Sequence, residues 1–343
     1  MVTTTIPGAP AGESADVPRR TTSRIGPSDH AFRLVARAGG AAVLVIMLLV
    51  GGFLLYRGWA ALQVAGWSFF TTQAWDPDSN NFGVAALLVG TVAIAIVAVS
   101  FAVPLATGTA LYISEYAPRR FQRTLVSLVD LMAAVPSVVY GLFGFYLLSG
   151  KVIYLSKWLS TWLGWIPIFR VVEGGQPVDP RDPLATMSVY SSSTFIAGMV
   201  VAMMVTPIMS SVMREVFSQA PVGEREGAYG LGATKWGMIR TVVLPFGRGG
   251  MIGGTMLGLG RALGETIAVY MIITPLFEIN WHILQNGGIS VSALIAQRYS
   301  ESSDFGLSAL MAAGLALFLM TLVINFIASA IIARSRSGAE SEA

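Results

Sequence analysis

The sequence predicts an all-α membrane protein with six transmembrane helices, on three observations. Of 343 residues, 54% are hydrophobic and only 12% are charged, whereas a soluble domain carries about 25% charged residues. Mean hydropathy is +0.66. Six apolar runs, near 38–57, 84–113, 125–149, 193–213, 251–273 and 307–333, approach or exceed the roughly 20 residues that a bilayer-spanning helix needs. The runs lack period-two alternation. Lipid tolerates only helices and closed barrels, so each run is expected to be a helix.

In chain order, residues 1–30 are rich in Thr, Pro, Ser, Gly and Arg and predict a disordered tail. Residues 31–335 form the expected membrane domain, and 336–343 a second tail. The first apolar run begins too late and is too long for a cleaved signal peptide, so it is expected to be retained. With the N-terminus in the cytoplasm, fifteen of the 22 Arg and Lys residues fall on cytoplasmic segments. Six fall outside (Arg57, Lys151, Lys157, Arg170, Arg181 and Arg298), and Arg261 lies within a run. That asymmetry puts both termini in the cytoplasm. It also accounts for the sequence pI of 9.3 without nucleic acid, since the net charge is only +3. With no cysteine and only His30 and His282, thiolate and histidine metal sites are not expected.

Two loops stand out. The expected external loop, 150–192, opens KVIYLSKWLSTWLGW, with Trp158, Trp162 and Trp165 near helical spacing. This predicts a short helix at the membrane interface, where Trp is favoured; a docking surface for an external partner is the alternative. The expected cytoplasmic loop, 214–250, holds charges, glycines, Pro221 and Pro245 around a predicted helix from Val222 to Tyr229. Gly230 and Gly232 are suited to ending that helix in a tight turn. A helix displayed between two spans suits insertion into a partner's groove.

This loop resembles that of the permease subunits of ABC importers, which share an E-A-A triplet, a glycine six residues after the glutamate and a later I-x-L-P. Here the pattern is Glu226, Gly227, Ala228, then Gly232 beside Ala233, then Val242, Leu244 and Pro245, with Gly227 and Val242 as the departures. AVPLATGTALYISEYAP (102–118), AVPSVVYGLFGF (134–145), GRALGETIAV (260–269) and SALIAQRYSES (292–302) look like PstC-type permeases of the bacterial phosphate importer. The resemblance covers roughly 80–333. It implies a type I ABC importer permease fold in the bacterial inner membrane and a loop forming a coupling helix on a cytoplasmic ATPase. The implied partners are a PstA-like second permease, a dimer of PstB-like ATP-binding subunits and a PstS-like external phosphate-binding protein. No G-x-x-x-x-G-K-[ST] is present; only Lys151 follows a glycine, and Val152 follows it. ATP and magnesium are therefore expected on the partner ATPases, with no cofactor in this chain and no enzymatic activity of its own.

The run 251–273 carries Arg261 and Glu265. A charge at the centre of a span costs roughly 2.5–3.5 kcal/mol on the insertion scale. Four residues along a helix turn about 400°, so the two share a face and can pair. Their order is the less favourable one for a local pair. Gly250, Gly254 and Gly258, then Gly260 and Gly264, stripe the same run and predict close helix packing. The structural alternative is an ion pair fixing bundle geometry. The functional reading is that the planar guanidinium holds phosphate with two parallel hydrogen bonds, while Glu265 offsets its charge and accepts a hydrogen bond from the protonated oxygen of phosphate. The resemblance points to the same residues. Asp130, Ser137, Tyr140 and Thr266 complete the candidate path, each with capping or packing as its alternative. The competing functions are a permease for another oxyanion or solute and a stand-alone secondary transporter.

Overall fold

The computed structural model describes residues 26–173, 175–182 and 187–336. Residues 1–25 of the expected tail 1–30, residues 174 and 183–186 of the expected external loop, and residues 337–343 lie outside these. Two units divide at Val50. Helix α1, Pro27–Ala65, begins in the first, so residues 27–30 of the expected tail are helical. Its apolar side chains from Val43 to Val50 are all exposed.

The second unit starts within α1 at Gly51. A short strand pair follows, β1 (Trp75–Asp76) against β2 (Asn81–Phe82). Then come α2 (Ala85–Leu111), closed by a π-helical turn Tyr112–Tyr116, α3 (Arg119–Ala134), α4 (Ser137–Phe143) and α5 (Ser149–Leu163). Strands β3 (Val172–Glu173) and β4 (Gln176–Pro177) form a second antiparallel pair. The chain continues through α6 (Thr194–Ser218), α7 (Val222–Gly230), α8 (Lys235–Met238), α9 (Leu244–Leu263), α10 (Ile267–Ile272), α11 (Val291–Arg298) and α12 (Asp304–Arg336).

Five helices among the described residues are long and apolar enough to cross a membrane: Ser28–Phe70, Ala85–Tyr116, Thr194–Ser218, Lys235–Leu263 and Asp304–Ala330. A sixth span is possible only as the pair α3 and α4, which is bent by 89°. This corrects the expected continuous run 125–149. Pro136 disfavours helical backbone at the preceding residue, and Val135 is extended, with ψ 129°. The run 251–273 is corrected as well. α8, a π-helical turn (Ile239–Val243) and α9 form one 29-residue helix that ends at Leu263. The π turn ends two residues before Pro245, whose ring clashes with, and whose missing N–H leaves unpaired, the carbonyl four residues back in a regular helix.

The core lies where α2, α6 and α9 pack together. Ala98, Ala102, Ala106 and Ala110 on α2 are fully buried, and their four-residue spacing gives α6 a flat face. On α9, Gly247 and Gly250 meet Phe217 and Val216 of α6, while Gly254 and Gly258 meet Met213 and Met209. The expected stripe therefore packs as far as Gly258. Gly260 instead faces Asn325 of α12, and Gly264 meets only carbonyls of its own turn. Beyond Val50, α1 approaches α12 at Gly58, where an added Cβ would lie 2.8 Å from the Ala312 nitrogen. The Ser308 hydroxyl donates to the Arg57 carbonyl at 2.8 Å in the same crossing.

Candidate functional site

Two constellations carry the chemistry: the break after α9, and the α7 segment. At the break, Gly264 closes α9 and the chain restarts at α10. The Glu265 side chain is 4% exposed, and one carboxylate oxygen accepts the Ala268 N–H at 3.2 Å. The other oxygen lies 3.7 Å from Arg261 Nη2. The Ser292 hydroxyl donates to the Glu265 carbonyl at 2.7 Å, tying the break to α11. Arg261 and Glu265 pair as expected, although they do not share one helix. This also resolves their unfavourable order. Arg261 sits in the last turn of α9 and Glu265 at the start of α10, so each charge faces the helix end of opposite polarity. Arg261 is in the last turn of its helix, not near the middle.

The Arg261 side chain is 49% exposed. It opens on a cavity of about 550 Å³ walled by Gly253, Met256, Leu257 and Gly260 of α9 and by Asn325 and Ser329 of α12. On its other side, Nη2 contacts the Met204 sulfur of α6 at 3.8 Å. A half-exposed guanidinium held by a buried carboxylate keeps its outer N–H groups free for an anion.

The other path candidates sit elsewhere. The Thr266 hydroxyl donates to the Gly264 carbonyl at 3.2 Å, inside the break. The Tyr140 hydroxyl donates to the Met132 carbonyl at 2.9 Å, bracing the α3–α4 bend. Ser137 is half-buried in the first turn of α4. Asp130 is exposed, and one of its carboxylate oxygens lies 3.5 Å from the Ser211 hydroxyl of α6. α4 does reach the break, since Gly141 packs against Ala268 and Met271 of α10. Among the described residues, no hydrogen bond or ion pair joins Asp130, Ser137 or Tyr140 to Arg261.

The α7 segment has the expected helix, one residue longer than predicted. The N–H groups of Leu231, Gly232 and Ala233 turn back to the carbonyls of Gly227, Tyr229 and Ala228. Gly232 has φ +83° with open space around it. That left-handed conformation favours glycine. Glu226, Gly227 and Pro245 are exposed, and Ala228, Ala233 and Leu244 are half-buried. Val222, Tyr229, Leu231 and Trp236 are exposed, Leu231 at 91%. A cluster of bare apolar side chains on a short helix-turn suits protein contact.

Sequence reasoning missed what anchors α7. Arg225 donates to Glu115 Oε2 at 3.1 Å and to the Phe217 carbonyl at 2.7 Å. Glu115 lies in the π turn that ends α2, with its side chain 4% exposed. Next to it, Lys235 Nζ lies 4.6 Å from the centre of the Tyr116 ring. The only sequence signal was a carboxylate, YISEY, at the end of an apolar run. Asn325 and Ser329 were also missed, although an amide within INFIAS was visible.

These features define a helical membrane protein with a paired guanidinium at a helix break and an exposed apolar helix-turn. The chain belongs to the family of binding-protein-dependent transport system inner membrane components, whose sequence model matches residues 102–337. It is thus a multi-pass membrane subunit of an ABC transporter and not an enzyme, and family membership sets the stand-alone secondary transporter aside. Within the family it is 38% identical over 308 residues to the phosphate transport system permease protein PstC 2 of Mycobacterium tuberculosis, covering 88% of this chain and 91% of that one. It is 36% identical over 308 residues to PstC of Xylella fastidiosa, covering 90% and 91%. The likeness to PstC-type permeases read from the motifs is borne out. A bacterial ABC transporter involved in the import of the acidic polysaccharide alginate shares the fold, with TM-score 0.55, 18% identity and coverage of 90% of this chain and 98% of that one.

Proposed function

We propose that this chain forms half of the translocation pathway of an ATP-driven inorganic phosphate importer. The observation that carries the reading is Arg261, a guanidinium held by the buried Glu265 with its outer side open to a cavity. The naming of its relatives as phosphate permeases supports the choice of anion. A guanidinium grips phosphate through paired hydrogen bonds. Glu265 has both oxygens engaged inward, so its part is to offset the charge of Arg261 and keep the anion from being held too tightly. A hydrogen bond from protonated phosphate to Glu265, one of the sequence-based expectations, would have to compete with the Ala268 N–H and Arg261 for these oxygens.

A PstA-like chain supplies the other half of the pathway, and a PstS-like protein delivers phosphate from outside. Two PstB-like subunits bind ATP and magnesium inside, one of them against the exposed face of α7. Both termini are cytoplasmic, on the same side as α7. A pathway for another oxyanion is the remaining alternative. The test is reconstitution of the whole transporter with its binding protein in liposomes. The reading expects ATP-dependent phosphate uptake that excess sulfate or molybdate does not compete, and uptake lost on Arg261→Ala. Uptake of another oxyanion in preference to phosphate would overturn the substrate, and full phosphate uptake by Arg261→Ala would overturn the path.

A further inference from the structure

We infer that Asn325 and Ser329 of α12 complete an anion seat with Arg261, and that the Asn325 amide oxygen accepts a hydrogen bond from the O–H of a protonated oxyanion. The inference rests on the proposed phosphate path and adds residues to it. Asn325 and Ser329 are four residues apart on one helix, so they share a face. Both are exposed, and both wall the cavity into which Arg261 opens. The Asn325 oxygen lies 4.0 Å from where a Cβ on Gly260 would stand, so glycine there lets α12 bring its amide up to α9.

A face carrying a guanidinium, an amide and a hydroxyl does not suit lipid. A primary amide without a hydrogen-bonding partner in hydrocarbon costs several kcal/mol, and ionisable groups within membranes face the bundle or a water-filled cavity. The α9–α12 face is therefore an aqueous lining. Its chemistry fits one anion class. Arg261 offers donors only. The amide of Asn325 offers both a donor and an acceptor, whichever way its oxygen and nitrogen are assigned. At neutral pH inorganic phosphate carries one or two P–O–H groups, which need an acceptor, whereas sulfate carries none. Because the Glu265 carboxylate is buried and engaged, the side-chain acceptors within this cavity are the Asn325 amide oxygen and the Ser329 hydroxyl, and the amide, which lies beside Gly260 in the turn next to Arg261, is the one assigned here.

The chain has no cysteine, so a single introduced thiol reports on its own position. The assembled transporter in membrane vesicles is treated with an anionic methanethiosulfonate reagent, with inorganic phosphate, sulfate or neither present. Leu257→Cys reports on the cavity while leaving its polar groups intact. Asn325→Cys and Ser329→Cys report on the seat itself. Val323→Cys, on an exposed residue about 200° around α12 from Asn325, is the control for the opposite face. The three cavity thiols are expected to react roughly tenfold or more faster than the control, because a thiolate, which forms readily only in contact with water, attacks the reagent's sulfenyl sulfur to form a mixed disulfide and release methanesulfinate.

Phosphate, and not sulfate, is expected to slow labelling of Leu257→Cys, and adding Asn325→Leu is expected to abolish that protection. Cavity thiols as unreactive as Val323→Cys would overturn the inference, as would labelling that phosphate leaves unchanged. Protection that persists at full strength in the Leu257→Cys, Asn325→Leu variant would overturn the role of Asn325. In each of these cases, loss of uptake on Arg261→Ala would still leave the proposed path standing. Full uptake by Arg261→Ala would instead remove the reading on which the seat rests.

Discussion

Replacing Glu115 by glutamine removes the negative partner of Arg225 and keeps the side chain's shape. The pair is largely buried, with side chains 4% and 20% exposed. Severing a buried ion pair costs about 3–5 kcal/mol, because the remaining charge is left uncompensated. Here the Phe217 carbonyl still accepts from Arg225, the glutamine oxygen remains a neutral acceptor, and the guanidinium is partly wet. A loss of about 2 kcal/mol is therefore expected. The loss falls on the attachment of α7 to the end of α2, since this is the ion pair that joins the two. It makes local opening of α7 roughly 30-fold more frequent. Amide hydrogen exchange over residues 222–233 of the purified transporter reads that change directly. A second replacement, Arg225→Met, removes the stranded charge and should restore part of the protection. Unchanged exchange in Glu115→Gln would refute the anchoring argument. So would a double variant that loses the sum of the two single effects, because residues in direct contact are expected to be non-additive.

Other outcomes follow from the same geometry. Arg261→Lys keeps the charge but loses the planar fork, so phosphate uptake should fall with a raised KM and with Glu265 still buried. Glu265→Gln keeps an acceptor for the Ala268 N–H and removes the charge facing Arg261; uptake measurements should show a lower KM and a lower kcat, the mark of an anion held too long. Gly232→Trp puts a side chain on backbone at φ +83°, a cost of about 1–2 kcal/mol, beside the bare Leu231. Insertion should survive while co-purification with the ATPase and phosphate-stimulated hydrolysis are lost.

The α7 helix was legible because Pro221 and Gly232 mark its ends with residues whose backbone preferences are strong. The glycine stripe of α9 was legible as far as Gly258 because small residues at four-residue spacing have one use in packed helices. The break after Leu263 was not legible. Gly264, Glu265 and Thr266 sit in an otherwise continuous apolar run; the carboxylate that accepts the Ala268 N–H belongs to Glu265, one residue ahead of the N-cap Thr266, and the Glu265 carbonyl is tied to distant α11 through the Ser292 hydroxyl. Hydropathy counts such a segment as one span, which is why Arg261 was expected in mid-helix and not in a last turn. The bend at Pro136 was visible as a proline, but its 89° size reflects packing of α4 on α10 and the Tyr140 hydroxyl reaching back to Met132. Glu115 and Arg225 are 110 positions apart, and no local pattern links them. Their contact exists only because α2 and α6 end side by side.

Phosphate uptake by the assembled transporter carrying Arg261→Ala tests the central claim most directly. Radiolabelled phosphate is measured in liposomes that hold the variant complex at wild-type amounts, with ATP inside and the binding protein outside. The account predicts uptake reduced by at least about two orders of magnitude, the scale expected when a charged, bidentate contact worth about 3 kcal/mol is removed. Uptake at the wild-type rate and KM by a fully assembled variant would contradict it.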